Sequence, residues 1–184
     1  MSRAIFLDRD GTILKDMHYL SNPDHISIYR GVIPALKRLR KAGWRLVIGT
    51  NQSGIGRGYF TVDTLHKIHG RLLSIFERHE LVIDEILFCP HHPEENCHCR
   101  KPQIGMLHKA REKYKLDLKQ CIVIGDKECD ILWGKKGGAR TILVLTGKGR
   151  KHRKKLKVKP DHVTHSLTTA ARWIEKNSER HKPK

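Results

Sequence analysis

Short apolar runs recur along this chain of 184 residues, and between them lie longer stretches with apolar residues at helical spacing. The runs predict strands over 4–8, 45–50, 85–88, 121–125, 141–145 and 162–163. Unbroken runs such as Ala4-Ile5-Phe6-Leu7 and Ile122-Val123-Ile124 suit strands buried on both faces. The helical spacing predicts helices over 32–42, 62–79, 104–114, 131–137 and 167–176. In the first of these, Val32, Ala35, Leu36 and Leu39 form the apolar stripe and Gly43 ends the helix; Thr61 is placed to cap the next. Strands alternating with helices imply an α/β fold, a doubly wound parallel sheet covered on both faces. The length fits a single domain over 1–177, and 178–184 reads as a flexible tail.

Four predicted strands run into polar or reactive clusters: Asp8-Arg9-Asp10, Thr50-Asn51-Gln52-Ser53, Cys89-Pro90-His91 and Gly125-Asp126-Lys127. In a parallel sheet these ends share one edge, the edge at which such sheets bind ligands. Asp8 and Asp10 would repel each other, which calls for a cation between them, and oxygen-only ligands suit Mg²⁺. One carboxylate could attack phosphorus while the other moves protons. A strand-end turn with solvated acids is the alternative. Asp126 reads as a metal ligand, or else as a helix N-cap; Asp130 reads as an acid that orients a neighbour. Thr50 is a phosphate contact or a plain strand-end hydroxyl.

Five cysteines, three of them crowded into 89–99, suggest metal rather than disulfides. The cluster at 89–99 offers three thiolates and nearby imidazoles, a set suited to a closed, structural Zn²⁺ site. A loop of reduced cysteines with incidental histidines is the alternative. Cys121 reads as core and Cys129 as a spectator at a helix start. The net charge of +18 implies an anionic partner: phosphate esters, nucleic acid or an acidic surface. Eight of the twelve residues 148–159 are Lys or Arg. A solvated basic loop is favoured there over a nucleic-acid site, since no aromatic in the run could stack on a base. With no stretch long enough to span a membrane and no signal-peptide pattern, a cytoplasmic protein is expected.

In this order, Asp8-Arg9-Asp10-Gly11-Thr12, Thr50-Asn51, Lys101 and the run from Gly125-Asp126-Lys127 to Asp130 resemble the motifs of the haloacid dehalogenase-like phosphatase superfamily. More narrowly, the run Thr50-Asn51-Gln52-Ser53-Gly54-Ile55-Gly56-Arg57-Gly58 and the loop from Cys89-Pro90-His91-His92-Pro93 to Cys97-His98-Cys99-Arg100-Lys101-Pro102 resemble the bacterial heptose bisphosphate phosphatases. Histidinol phosphate phosphatases share the cysteine-rich loop but lack the Ser-Gly-Ile-x-Arg-Gly continuation. DNA 3′-phosphatases share the Thr-Asn-Gln-x-Gly-Ile-x-Arg-Gly run without the zinc loop.

The resemblance implies a Rossmann-like fold without a cap domain. It implies Asp8 as nucleophile, Asp10 as general acid and base, and Mg²⁺ held by the Asp8 carboxylate, the Asp10 backbone carbonyl and Asp126. Thr50, the Asn51 backbone and Lys101 would neutralise the transferring phosphoryl group. Asp16, Tyr19, Gln52, Ser53, Arg57, Arg100 and Lys127 would contact substrate, with His18 left out. It selects His91 over His92 and His98 to join Cys89, Cys97 and Cys99 around Zn²⁺, in a loop that stiffens the backbone before Arg100 and Lys101. The implied activity is removal of the 7-phosphate of D-glycero-D-manno-heptose 1,7-bisphosphate, a step toward lipopolysaccharide or a related heptose product, by a monomer. Histidinol phosphate and DNA 3′-phosphate are the alternative substrates. A zinc-stabilised nucleic-acid-binding module is the alternative outside enzymes, and it leaves the paired acids unexplained.

Overall fold

A computed structural model describes residues 2–178. Six strands, β1 (Ala4–Leu7), β2 (Arg45–Asn51), β3 (Glu85–Cys89), β4 (Ile122–Gly125), β5 (Arg140–Val144) and β6 (His162–Thr164), form one sheet in the order β3-β2-β1-β4-β5-β6. Every neighbouring pair is parallel, and Ile5 stands in register with Leu46 on one side and Ile122 on the other. The first strand therefore lies inside the sheet, and the order in which strands are added reverses between β1 and β4. That reversal opens a crevice at the carboxyl ends of these strands.

The alternation along β1 divides the core in two. Ile5 and Leu7 face a cluster with Leu36 and Leu39 of α1 (Val32–Lys41), Ile68, Leu72 and Phe76 of α3 (Val62–Glu77) and Ile174 of α7 (Leu167–Ser178). Ala4 and Phe6 face Met106 and Leu107 of α4 (Gly105–Tyr114) and Trp133 of α5 (Glu128–Gly137). The sheet is thus covered on both faces, as the unbroken apolar strands require. The short helix α2 (Ser53–Gly56) follows β2, and α6 (Gly149–Arg153) follows β5. Thr61 caps α3, accepting from the Thr64 amide at 3.1 Å, and Gly43 takes a left-handed φ of 84° just past α1.

Three expectations need correction. Helix α5 starts at Glu128 rather than at 131, because the Lys127 amide donates to the Asp130 carboxylate (3.0 Å) and stabilises a polar first turn that apolar spacing does not mark. The basic run is not a free loop. It contains α6, and two bonds tie it to the start of α5: Glu128 N donates to His152 Nδ1 (3.2 Å), and Lys157 N donates to the Glu128 carboxylate (2.7 Å). The expected tail begins one residue too early, since Ser178 closes α7; 179–184 lie outside the described residues. No separate cap stands among the described residues, where the β1–β2 connection holds only a 3-10 turn (Pro23–His25) and α1. No described helix is long and apolar enough to cross a membrane.

Asp161 joins α5, β5 and the approach to β6. Its carboxylate accepts from Thr141 N (2.7 Å), Thr141 Oγ1 (2.9 Å) and Lys135 Nζ (2.5 Å). Burial alone would raise its pKa, but the Lys135 ammonium and the Thr141 donors hold it below the usual carboxylate value. A depressed folded pKa gives stability that is whole above the unfolded value and is lost as pH falls through the folded one. We expect Asp161→Ala to cost about 1–2 kcal/mol near neutral pH, mostly through the Thr141 bonds since the Lys135 pair is partly solvated. The deficit should shrink in acid below about pH 4, which urea unfolding at the two pH values will measure.

Candidate active site

The strand ends assemble as the topology demands. Asp8 follows β1, Thr50 lies near the end of β2, and Asp126 follows β4; all three are buried. Gly11, with φ 95°, lies against Asp126 so closely that any Cβ would collide with its carboxylate. The Lys148 amide donates to Asp126 Oδ2 at 2.7 Å, and Thr146 Oγ1 donates to Gly11 O at 2.6 Å. The loop after β5 thereby holds both the acid and the turn beside it.

Lys101 sits at the centre. Its ammonium donates to Asp8 Oδ1 (2.6 Å), Asp130 Oδ1 (2.6 Å) and Gly49 O (2.8 Å), so all three of its hydrogens are engaged. The Asn51 side chain locks the Lys101 backbone on both sides: Lys101 N donates to Oδ1 (3.0 Å), and Nδ2 donates to Lys101 O (3.1 Å). Burial pushes the Asp8 pKa up, but Lys101 and Lys127 outweigh it and hold the carboxyl below its usual value. Burial likewise opposes the Lys101 charge, and Asp130 and Asp8 outweigh it, raising the pKa. Asp130 orients a charged neighbour, as its position at the start of α5 suggested.

Asp8, Asp126 and Asp130 bring carboxylate oxygens within 4.8 Å of one another. Asp8 Oδ2 and Asp126 Oδ1 are buried and have no hydrogen-bond partner. Burial, then the neighbouring Asp8 charge, pushes Asp126 up to about 7. Two buried carboxylate oxygens without hydrogen bonds, on neighbouring acids, are a fit for a hard divalent cation. The Lys127 ammonium faces these same oxygens, 3.8 Å from Asp8 Oδ2 and 3.6 Å from Asp126 Oδ1, and donates to the Asp10 carbonyl at 3.1 Å. Lys127, expected as a substrate contact, lines the cleft and also faces the three groups that the resemblance assigns to magnesium.

Asp16, Tyr19, Asn51, Gln52, Ser53, Arg100 and Lys127 all line the cleft with Asp8, Asp10, Thr50 and Lys101. Arg100 Nη1 is buried without a partner, a donor available to an anion. Arg57 is exposed at the end of α2 and is not part of the lining, because the short helix turns it away. Gln52 is turned inward, its Nε2 donating to Asp10 Oδ2 (2.9 Å) and Thr50 Oγ1 (2.7 Å) rather than standing ready for a sugar hydroxyl. Sequence reasoning missed five lining residues: Arg9, His18, Leu20, Cys129 and Lys148. Cys129, expected to be a spectator, stands beside Asp130 in the wall. Lys148 reaches Asp16 Oδ2 at 3.5 Å, so the basic segment touches the cleft.

Cys89, His91, Cys97 and Cys99 converge, with Sγ–Sγ distances of 3.5 Å from Cys97 to both Cys89 and Cys99, and His91 Nδ1 3.2 Å from Cys99 Sγ. A tetrahedral zinc with sulfur bonds of about 2.3 Å has ligand separations near 3.8 Å, so the residues fit that ion. His92 is engaged elsewhere, accepting from the Glu94 amide. Backbone bonds tie this loop to its surroundings: Gln52 N to Cys89 O (2.7 Å), Gly56 N to Pro90 O (2.9 Å) and Gly105 N to His98 O (3.1 Å).

The fold and the acids at its strand ends define a haloacid dehalogenase-like hydrolase, and a family profile described as HAD-hydrolase-like matches residues 98–170. The chain belongs to the D-glycero-D-manno-heptose-1,7-bisphosphate 7-phosphatase family. It is 42% identical over 155 residues to the D-glycero-beta-D-manno-heptose-1,7-bisphosphate 7-phosphatase of Haemophilus influenzae, covering 80% of this chain and 84% of that one. It is also 42% identical over 125 residues to a probable D-glycero-D-manno-heptose-1,7-bisphosphate 7-phosphatase of Thermoplasma volcanium, covering 68% and 86%. The crystal structure of the D,D-heptose 1,7-bisphosphate phosphatase of B. bronchiseptica, complexed with magnesium and phosphate, superposes with a TM-score of 0.90 at 34% identity, covering 96% of this chain and 99% of that one.

Lys101→Met removes the cation between two buried carboxylates. We expect a loss of about 3–5 kcal/mol, the usual effect of breaking a buried pair. Mg²⁺ should recover part of it, since a divalent ion supplies the missing charge. Thermal unfolding of the variant with and without Mg²⁺ will measure both effects.

Proposed function

We propose that this chain is a magnesium-dependent phosphatase that removes the 7-phosphate of D-glycero-D-manno-heptose 1,7-bisphosphate through an aspartyl-phosphate. The observation that carries the reading is Asp8: one oxygen is fixed by Lys101, and the other is buried without a hydrogen-bond partner in a cleft lined by cations. The activity named for its relatives and the magnesium and phosphate of the B. bronchiseptica complex support it.

The Asp8 carboxylate attacks phosphorus, and the bond to the sugar oxygen breaks as Asp10 gives that oxygen a proton. Asp10 then takes a proton from the water that attacks the aspartyl-phosphate, releasing inorganic phosphate and restoring Asp8. Thr50, the Asn51 backbone and the Lys101 charge face the phosphoryl group as its charge spreads. The Asp8 carboxylate, the Asp10 carbonyl and Asp126 would hold Mg²⁺, which when bound screens the repulsion between Asp8 and the incoming phosphate. Arg100 recognises a substrate phosphate, while Asp16, Tyr19 and Ser53 shape the mouth around the sugar. The three thiolates and His91 hold a structural Zn²⁺ that stiffens the loop leading into Arg100 and Lys101. A 3′-phosphorylated DNA end is the second reading, favoured by the link of the basic segment to the cleft through Lys148 and Asp16.

Phosphate release with Mg²⁺ tests the reading across both heptose bisphosphate anomers, fructose 1,6-bisphosphate, histidinol phosphate and a 3′-phosphorylated oligonucleotide. One heptose anomer should lead, and Asp8→Asn should lower its turnover by on the order of 10³-fold or more. A leading oligonucleotide, with activity that collapses as salt rises, would replace the substrate assignment. For the thiolate site, elemental analysis should find one zinc per chain, and Cys97→Ser should lose it and unfold at lower temperature.

A further inference from the structure

Asp10 does not stand free in the cleft. Arg9 Nε donates to Asp10 Oδ1 (3.2 Å) and Oδ2 (3.1 Å), and Arg9 Nη2 lies 3.0 Å from Oδ2. The Arg9 side chain is only 1% exposed, an unusual place for an arginine unless it is paired. Its remaining edge points away from the cleft, where Nη1 meets Nε2 of His69 at 3.1 Å. His69 is a buried residue of α3, with its ring edge-on to Phe88. Burial, then the Arg9 charge, pushes His69 down to about 3, so the ring is neutral and Nε2 offers a lone pair to Nη1.

The type of residue at 69 matters. A carboxylate there would compete with Asp10 for the guanidinium. An apolar side chain would leave a buried N–H unpartnered and free the guanidinium to turn. A neutral acceptor anchors the far edge of Arg9 without drawing it away from Asp10. The planar fork then presents two donors in a fixed plane to the carboxylate, which a lysine cannot do.

We propose that Arg9, anchored by His69, is a positioning residue of the reaction, acting beside the Gln52 amide that donates to Asp10 Oδ2 (2.9 Å) and holding the Asp10 carboxylate in the orientation from which it passes a proton to the leaving oxygen and takes one from water. The proposal rests on the reading of Asp10 as general acid and base. A sugar alkoxide needs that proton to leave; p-nitrophenolate does not.

In His69→Leu and in Arg9→Lys, turnover of the heptose bisphosphate should fall about 10²-fold with KM within about threefold, the size of a lost general acid. Stopped-flow with p-nitrophenyl phosphate should show the first step within about threefold of wild type. A burst of one p-nitrophenolate per enzyme should follow, then slow turnover, because water activation also needs a placed Asp10. His69→Gln, whose Oε1 can accept from Nη1, should restore turnover to within about threefold, which separates the anchoring bond from a mere effect on folding. A parallel fall in both substrates without a burst, failure of Gln to restore activity, or no change in either variant would overturn the proposal. Asp10→Asn distinguishes the two levels. If it gives the selective loss and the burst while the Arg9 and His69 variants do not, only the positioning role fails. If it gives neither, the reading of Asp10 fails and takes the positioning role with it.

Discussion

Asp8, Asp126 and Asp130 are buried within 4.8 Å of one another, and mutual repulsion would scatter them if nothing else held them. Burying unpaired carboxylates is among the costlier things a fold can do. Lys101 answers most of that cost by standing between Asp8 and Asp130 with its third hydrogen on Gly49 O. Compensation remains incomplete at Asp8 Oδ2 and Asp126 Oδ1, the two oxygens without hydrogen bonds. The uncompensated negative charge thus lies beside the predicted nucleophile, where a divalent cation would balance it.

This balance depends on backbone that is pinned from several directions. Asn51 grips the backbone of Lys101 from β2, and the amide of Lys148 fixes Asp126 from the loop after β5. Gly11 lets the first loop approach Asp126 without a side chain in the way. The cysteine-rich loop that leads into Arg100 and Lys101 is bonded to the β2–α2 segment and to the start of α4. Behind Asp10 the order continues outward through Arg9 to His69 on α3, so a helix packed on one face of the sheet bears on a carboxylate at its edge. The machinery of the cleft is therefore supported by both layers of the fold.

Much of this was legible in the chain. The central strands were readable because each holds a local apolar run, and Asp8 and Asp126 were readable because each stands just past such a run. The cysteine–histidine cluster was readable because its members crowd into a short loop. Other residues carried no such local sign. Gln52 looked free to meet a ligand but is held by Asp10 and Thr50, a contact set by how β1 lies against β2. Arg57 sits in a motif that pointed to substrate, yet one short helical turn directs it to solvent. Arg9 and His69 are sixty positions apart, and His69 reads as one more polar residue on a long helix.

The sequence by itself determined the parallel sheet, its covered faces, the edge where chemistry gathers and the identity of the acids there. These follow from short-range patterning: hydrophobic burial selects the strands, and turn residues place what comes after them. Tertiary structure alone decided which charges meet. Lys101 reaches Asp8 and Asp130, Lys127 covers the oxygens of Asp8 and Asp126 that lack hydrogen bonds, Lys148 joins the basic segment to the cleft, and Arg9 turns toward His69. Such pairings hang on ångström distances between segments far apart in the chain. Electrostatic and hydrogen-bond energies change steeply over those distances, and composition and spacing do not encode them.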